Sequence, residues 1–168
     1  MDKHKQQQIF QGIIEEHKGI LFKVAHAYCP AEEDRQDLIQ EMMIKIWQSM
    51  HKYNNQFKIS TWIYRISLNV AISFYRKMSS RERKYIDWNA QTDQIHGEDK
   101  SENEQHLVLL ELFISELKEI DKALIILYLE DKSHAEIAEI LGMSVSNVGT
   151  KTGRIKELLK KRFSQLKS

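Results

Sequence analysis

A single proline and six glycines have to punctuate 168 residues. Sandwiches, barrels and βαβ folds reverse direction every dozen residues or so and use these residue types to do it. This chain cannot turn that often, so it reads as nearly all-α. Its length suits one ordinary domain or two small ones. No apolar run approaches the ~20 residues that span a bilayer. The opening MDKHKQQQIF has neither an apolar core nor a small-residue cleavage site, so no secretory signal is expected. Cys29 is the only cysteine. It excludes an intrachain disulfide and fits a reducing compartment, so a cytoplasmic location and a small semi-buried role for Cys29 are expected.

Apolar residues recur at helical spacing in two blocks. Ile9, Ile13, Ile14, Leu21, Val24 and Tyr28 mark a first helix, which Pro30 breaks. Pro30 suits the first turn of a second helix, and Glu32, Glu33 and Asp34 favour that end through the helix dipole. Leu38, Ile39, Met42, Met43, Ile46 and Trp47 form its stripe. After the polar HKYNNQFK, Ser60 or Thr61 can cap a third helix carrying Ile63, Ile66, Val70 and Phe74. The stretch 85–104 is polar, contains Gly97 and keeps no apolar period, which predicts a flexible linker. Beyond it, Ser101 and Glu104 have capping-box spacing, and Leu107 to Leu117 is apolar-periodic. Ala123 to Leu129 is apolar nearly all round, as a buried helix should be. Ser133 and Glu136 offer a second capping box. The expected architecture is two small helical domains, 1–84 and 105–168, joined by the linker 85–104.

The formal net charge is only +1, but it is unevenly spread. From Met42 to Arg81 there are seven basic residues and no acid; from Ser146 to Ser168 there are seven against one. Two separate basic segments suit a polyanionic partner. The first also holds seven of the fifteen aromatics: Trp47, Tyr53, Phe57, Trp62, Tyr64, Phe74 and Tyr75. Cations track a phosphate backbone and rings stack on unpaired bases, so this mixture suits single-stranded nucleic acid. Trp47 and Phe74 lie on apolar stripes and are expected in the core. Tyr53, Phe57, Trp62 and Tyr64 are expected at the surface.

The second basic segment lies in HAEIAEILGMSVSNVGTKTGRIKELLKK. Ala138 lets a second helix cross closely, and Gly142 supplies the turn. Ile137, Leu141, Met143 and Val148 supply the contacts between the helices. This is a helix-turn-helix pattern. Ser144 can cap its second helix, and Ser144, Ser146, Asn147, Thr150, Lys151 and Arg154 would face outward to meet phosphates and base edges. Lys160, Lys161 and Arg162 lie later and would meet phosphates if they meet DNA.

The seven histidines form no metal-ligand spacing with one another or with Cys29, and there is no glycine-rich phosphate loop. No enzyme, metal or cofactor is expected. On the residues alone, a helix-turn-helix regulator with a dimerising or sensing N-terminal domain, a protein-binding helical adaptor and a promoter-opening factor all stay open.

FKISTWIYRISLNVAISFYRK resembles the central signature of bacterial sigma factors of the extracytoplasmic-function (ECF) group, within the sigma-70 family. DLIQEMMIKIWQ resembles the adjacent segment that docks on core RNA polymerase, and the helix-turn-helix resembles the family's promoter-reading domain. The resemblance covers nearly the whole chain, in the family's order. It implies a sigma factor that binds core RNA polymerase, directs it to promoters and helps melt DNA. Asp37, Gln40, Glu41 and Lys45 would meet the polymerase. Tyr53 to Ile59, with Tyr53, Asn55, Phe57 and Lys58 as its site residues, would form the loop that captures a base flipped from the −10 element. Trp62, Arg65 and Asn69, with Arg76 and Lys77 at the basic end, would hold the non-template strand. Ser144 to Arg154 would read the −35 element. The implied partners are core RNA polymerase and promoter DNA, with an anti-sigma factor as a further expectation, and the free protein is expected to be a monomer not inserted in a membrane. The pattern departs from the family at Ser73, where an Asp is common, and at Thr152, where Leu or Ile is usual.

Overall fold

A computed structural model describes residues 2–78 and 101–166. The described residues hold helices and no strand, in two compact units divided after Lys77.

The first unit is built from α1 (Lys3–Tyr28), α2 (Glu32–Ser49) and α3 (Ile59–Lys77), with a short 3-10 turn, Met50–Lys52, after α2. All three helices pack against one another. Asp2 caps α1 by accepting from the His4 N–H. The core gathers Leu21, Val24, Ala25 and Tyr28 with Leu38, Met42 and Ile46, and with Ile63, Leu68 and Ala71. Each large apolar side chain buried this way contributes roughly 1.5–3 kcal/mol, so Leu38→Ala, which would also leave a cavity, would cost about 2–5 kcal/mol. Edge-on aromatic pairs close the helix seams: Phe10 on Trp47 at 5.3 Å and Tyr28 on Tyr75 at 5.9 Å.

Several local expectations are corrected. Ile9, though on the apolar period, is 39% exposed, because the buried stripe of α1 begins further along. Pro30 is not in the first turn of α2: Ala31 is its N-cap, and the three acidic residues form the first turn. Ser60 and Thr61 do not cap α3, since the helix begins at Ile59 and the Trp62 N–H already donates to the Lys58 carbonyl at 3.1 Å. Cys29 is fully rather than partly buried.

The second unit contains α4 (Glu102–Ser115), α5 (Glu119–Leu129), α6 (His134–Leu141) and α7 (Val145–Leu166). Residues 85–100 of the expected linker lie outside the described residues, and α4 begins before its expected end. Ser101 and Glu104 form the full reciprocal capping box. Lys122 to Leu127 of α5 are buried, while Leu129 is 48% exposed because α5 ends there. The chain then turns through Asp131 at φ 57°, and the Lys132 N–H bonds back to the Leu127 carbonyl.

Ser133 caps α6 by accepting from the Glu136 N–H. In place of the reciprocal half of the expected box, the Glu136 carboxylate lies 3.9 Å from Lys132 Nζ. Gly142 takes φ 69°, a left-handed conformation that an L side chain rarely adopts, and the Met143 N–H returns to Ala138. Ser144 caps α7 through the Asn147 N–H at 3.0 Å. Ile137, Ala138 and Val148 are buried between α6 and α7, with Leu141 and Met143 half-buried. Thr152 also turns into this core, where its hydroxyl donates to the Val148 carbonyl at 2.7 Å and so is not left unpaired.

Candidate polymerase and promoter surfaces

On α2, Leu38, Met42 and Ile46 face the core, which leaves the opposite side to solvent. Asp37, Gln40, Glu41 and Lys45 are all exposed there. Ile44 joins them, 55% exposed, at i+7 from Asp37 and flanked by Gln40, Glu41 and Gln48. It is not among the residues that the family resemblance implies for this face. The signal in the sequence is an apolar side chain set opposite the apolar stripe.

On α3 the helical period sorts the basic and aromatic residues. Ile63, Tyr64, Ser67, Leu68, Ala71 and Ile72 are buried. Trp62, Arg65, Asn69, Ser73 and Arg76 recur at spacings of three and four on the other side; Trp62 is half-buried and the rest are exposed. Lys77 is exposed at the edge of this ladder. Tyr64, expected at the surface, instead belongs to the core: it is 2% exposed, because it projects from the packed side of α3. Trp47 and Phe74, expected in the core, are only half-buried, at the edges of their apolar stripes.

The loop before α3 is tightly built. The Tyr53 hydroxyl donates to the Phe57 carbonyl at 2.8 Å, and its ring meets Trp62 at 5.1 Å between centroids, tilted by 44°. Between them, Asn54 Oδ1 accepts from the Gln56 N–H at 3.2 Å and Asn55 takes φ 63°. Asparagine tolerates that left-handed conformation better than most residues. Phe57 is half-buried and Lys58 exposed. Loop and ladder together carry no carboxylate, so nothing in them repels phosphate.

On α7, Ser146, Asn147, Thr150 and Arg154 are exposed. The Thr150 hydroxyl is engaged by the Ser146 carbonyl at 3.1 Å. Lys151 is half-buried, with Nζ 3.9 Å from Asp121 on α5. Arg162, expected to meet phosphates, is instead held by Glu116 and lies over the Phe113 ring. Its partners come from the C-terminal end of α4, far away in sequence.

A family model described as Sigma-70 region 2 matches residues 13–81, and one described as Sigma-70, region 4, matches residues 107–159. RNA polymerase sigma factor SigV of Bacillus subtilis (strain 168) is 30% identical over 148 residues, covering 88% of this chain and 86% of SigV. ECF RNA polymerase sigma factor SigW of the same organism is 27% identical over 179 residues, covering 98% and 94%. The chain belongs to the ECF group of the sigma-70 family. The fold agrees: sigma factor RpoE, solved in complex with the anti-sigma factor NepR from Bartonella quintana, superposes with a TM-score of 0.67 at 18% identity over 94% of this chain and 98% of that one.

This sigma factor binds core RNA polymerase and directs it to promoters. Family membership decides against the regulator and adaptor readings. The region 2 match starts in the first unit and ends four residues past it, and the region 4 match lies within the second. A sigma factor acts by binding, not catalysis. Among the described residues no cluster of His, Cys, Asp and Glu could hold a metal ion, and no helix is long and apolar enough to cross a membrane.

Proposed function

We propose that this ECF sigma factor divides its work among three surfaces. The outer side of α2, with Asp37, Gln40, Glu41, Ile44 and Lys45, docks on core polymerase. The loop 53–58 and the α3 ladder of Trp62, Arg65, Asn69, Arg76 and Lys77 open the −10 element and hold its non-template strand. The start of α7, with Ser144, Ser146, Asn147, Thr150 and Arg154, reads the −35 element, and Lys151 beside them adds affinity without reading sequence. The protein acts in the cytoplasm, is a monomer when free, and is held in reserve by an anti-sigma factor. The complex of RpoE with NepR supports that last assignment by analogy.

One observation carries the melting assignment: aromatic rings and cations share one acid-free face of α3 and the loop before it. Duplex DNA offers its bases only at groove edges, whereas rings beside cations match a strand whose bases are unstacked. Extruding a base costs a few kcal/mol, and stacking and hydrogen bonds in a fitted pocket offset that.

The test is open-complex formation by reconstituted holoenzyme. Phe57→Ala and Trp62→Ala should slow opening of a linear duplex promoter more than they weaken initial binding, by about 1–3 kcal/mol per lost stack. A pre-melted bubble should partly rescue Phe57→Ala. Circular dichroism first establishes that Trp62→Ala folds. Normal opening rates for both variants would remove this face from the melting machinery.

A further inference from the structure

The resemblance to the family puts Tyr53 among the residues that touch DNA, but both ends of its side chain are already occupied within the protein. The hydroxyl donates to the Phe57 main-chain carbonyl at 2.8 Å, and the ring lies against Trp62. One bond therefore ties the first residue of the loop to Phe57, two residues before α3 begins at Ile59. The residues it encloses are fixed in turn. Asn54 folds back on the Gln56 N–H, and Asn55 is held at φ 63°. Without a closing bond, a short polar loop with a left-handed residue at its centre would sample many conformations, and DNA would have to order it on binding.

We propose that Tyr53 is a positioning residue, a latch that shapes the base-capture loop before DNA arrives, and not itself a base contact. This rests on the reading of the loop 53–58 as the −10 element's capture loop. The latch acts through Phe57 and Lys58, whose main chain it holds at the start of α3. The phenol donor is its working part, and the ring contact with Trp62 fixes the direction of that donor.

Tyr53→Phe isolates the bond, because it keeps the ring and removes only the hydroxyl. Two measurements on the full-length protein test the latch. In the free protein, heteronuclear NOE values of the Asn54, Asn55, Gln56 and Phe57 amides should fall in the variant and stay unchanged elsewhere. In reconstituted holoenzyme, affinity for a single-stranded non-template oligonucleotide carrying the −10 element should weaken about three- to tenfold, the size of a loop-ordering cost. Affinity for core polymerase should not move. With an abasic site placed at each −10 position in turn, the difference between variant and wild type should vanish at the captured base; a general loss of fold would lower affinity for every oligonucleotide alike.

An unchanged loop with weakened binding would mean that the hydroxyl contacts DNA directly, and would overturn the latch. An unchanged loop with unchanged binding would overturn it as well. Phe57→Ala separates the underlying reading. If the loop loosens in Tyr53→Phe while neither variant alters oligonucleotide affinity, the latch stands and the capture-loop assignment fails.

Discussion

Arg162 Nη2 lies 3.0 Å from each carboxylate oxygen of Glu116, and the same guanidinium stands 4.8 Å above the Phe113 ring. This pins the late part of α7 to the end of α4. A partly exposed ion pair contributes about 0.2–1 kcal/mol, and a cation over a ring about 0.5–1 kcal/mol. Arg162→Ala should therefore lower the thermal midpoint of the second unit by several degrees, at about 4–8 °C per kcal/mol for a unit of this size. Lys160→Ala and Lys161→Ala should not. Differential scanning calorimetry of the three variants decides the matter; an unshifted midpoint for Arg162→Ala would return it to the phosphate-contacting group.

The outer face of α2 yields a contrast between charge and shape. Glu41→Lys should weaken core polymerase binding mainly by slowing association, with an altered salt dependence, because it reverses a charge at a steered surface. Ile44→Ser should weaken binding through faster dissociation at any salt concentration, by at least about 1 kcal/mol if the side chain is buried in the complex. Surface plasmon resonance against core enzyme at two ionic strengths separates these effects. Wild-type kinetics for both would place the polymerase contact elsewhere.

Gly153 lies inside α7, and a Cβ added there meets nothing within 4 Å. Glycine in a helix interior costs roughly 0.8–1 kcal/mol relative to alanine. Gly153→Ala should raise the stability of the second unit by about that amount in urea melts. At Gly149 an added Cβ would stand 3.6 Å from the His134 ring, an ordinary contact, so Gly149→Ala should also be tolerated. A lower midpoint for Gly153→Ala would show that the α7 backbone departs locally from helical geometry.

The start of α7 divides by engagement. Asn147 and Arg154 are exposed on one face, and each can bond a base edge bidentately, worth about 1–3 kcal/mol of discrimination. Lys151 instead points toward Asp121. Selection from a library randomised only in the −35 region should give altered motifs for Asn147→Ala and Arg154→Ala. Lys151→Ala should return the wild-type motif at lower affinity. A changed motif for Lys151→Ala would mean that DNA draws the lysine away from its acidic neighbour.

The helices were legible because apolar residues three and four apart have one explanation in a chain so short of turn residues. Leu38, Met42 and Ile46 could be placed in the core on that ground alone. What escaped depends on rotation or on distant partners. Trp62 and Tyr64 are two residues apart and share one composition, yet the rotation of α3 sends one to the loop and the other to the core. Arg162 reads as one of three consecutive cations until Glu116 is brought beside it by the packing of α4 on α7. The turns were also partly hidden. Asn55 and Asp131 adopt left-handed backbone that glycine would ordinarily supply, which is how the chain folds with so few glycines.

Apart from Cys29 in the link after α1, the described core of the first unit comes from three helices that follow one another between Lys3 and Lys77. Contacts this local allow helical bundles to assemble in microseconds to milliseconds, whereas ribosomes add only ~5–20 residues per second. Synthesis of residues 78–168 then occupies about 5–18 s at that pace. On the ribosome, α1, α2 and α3 can therefore pack together while the residues of α7 are still being joined to the chain.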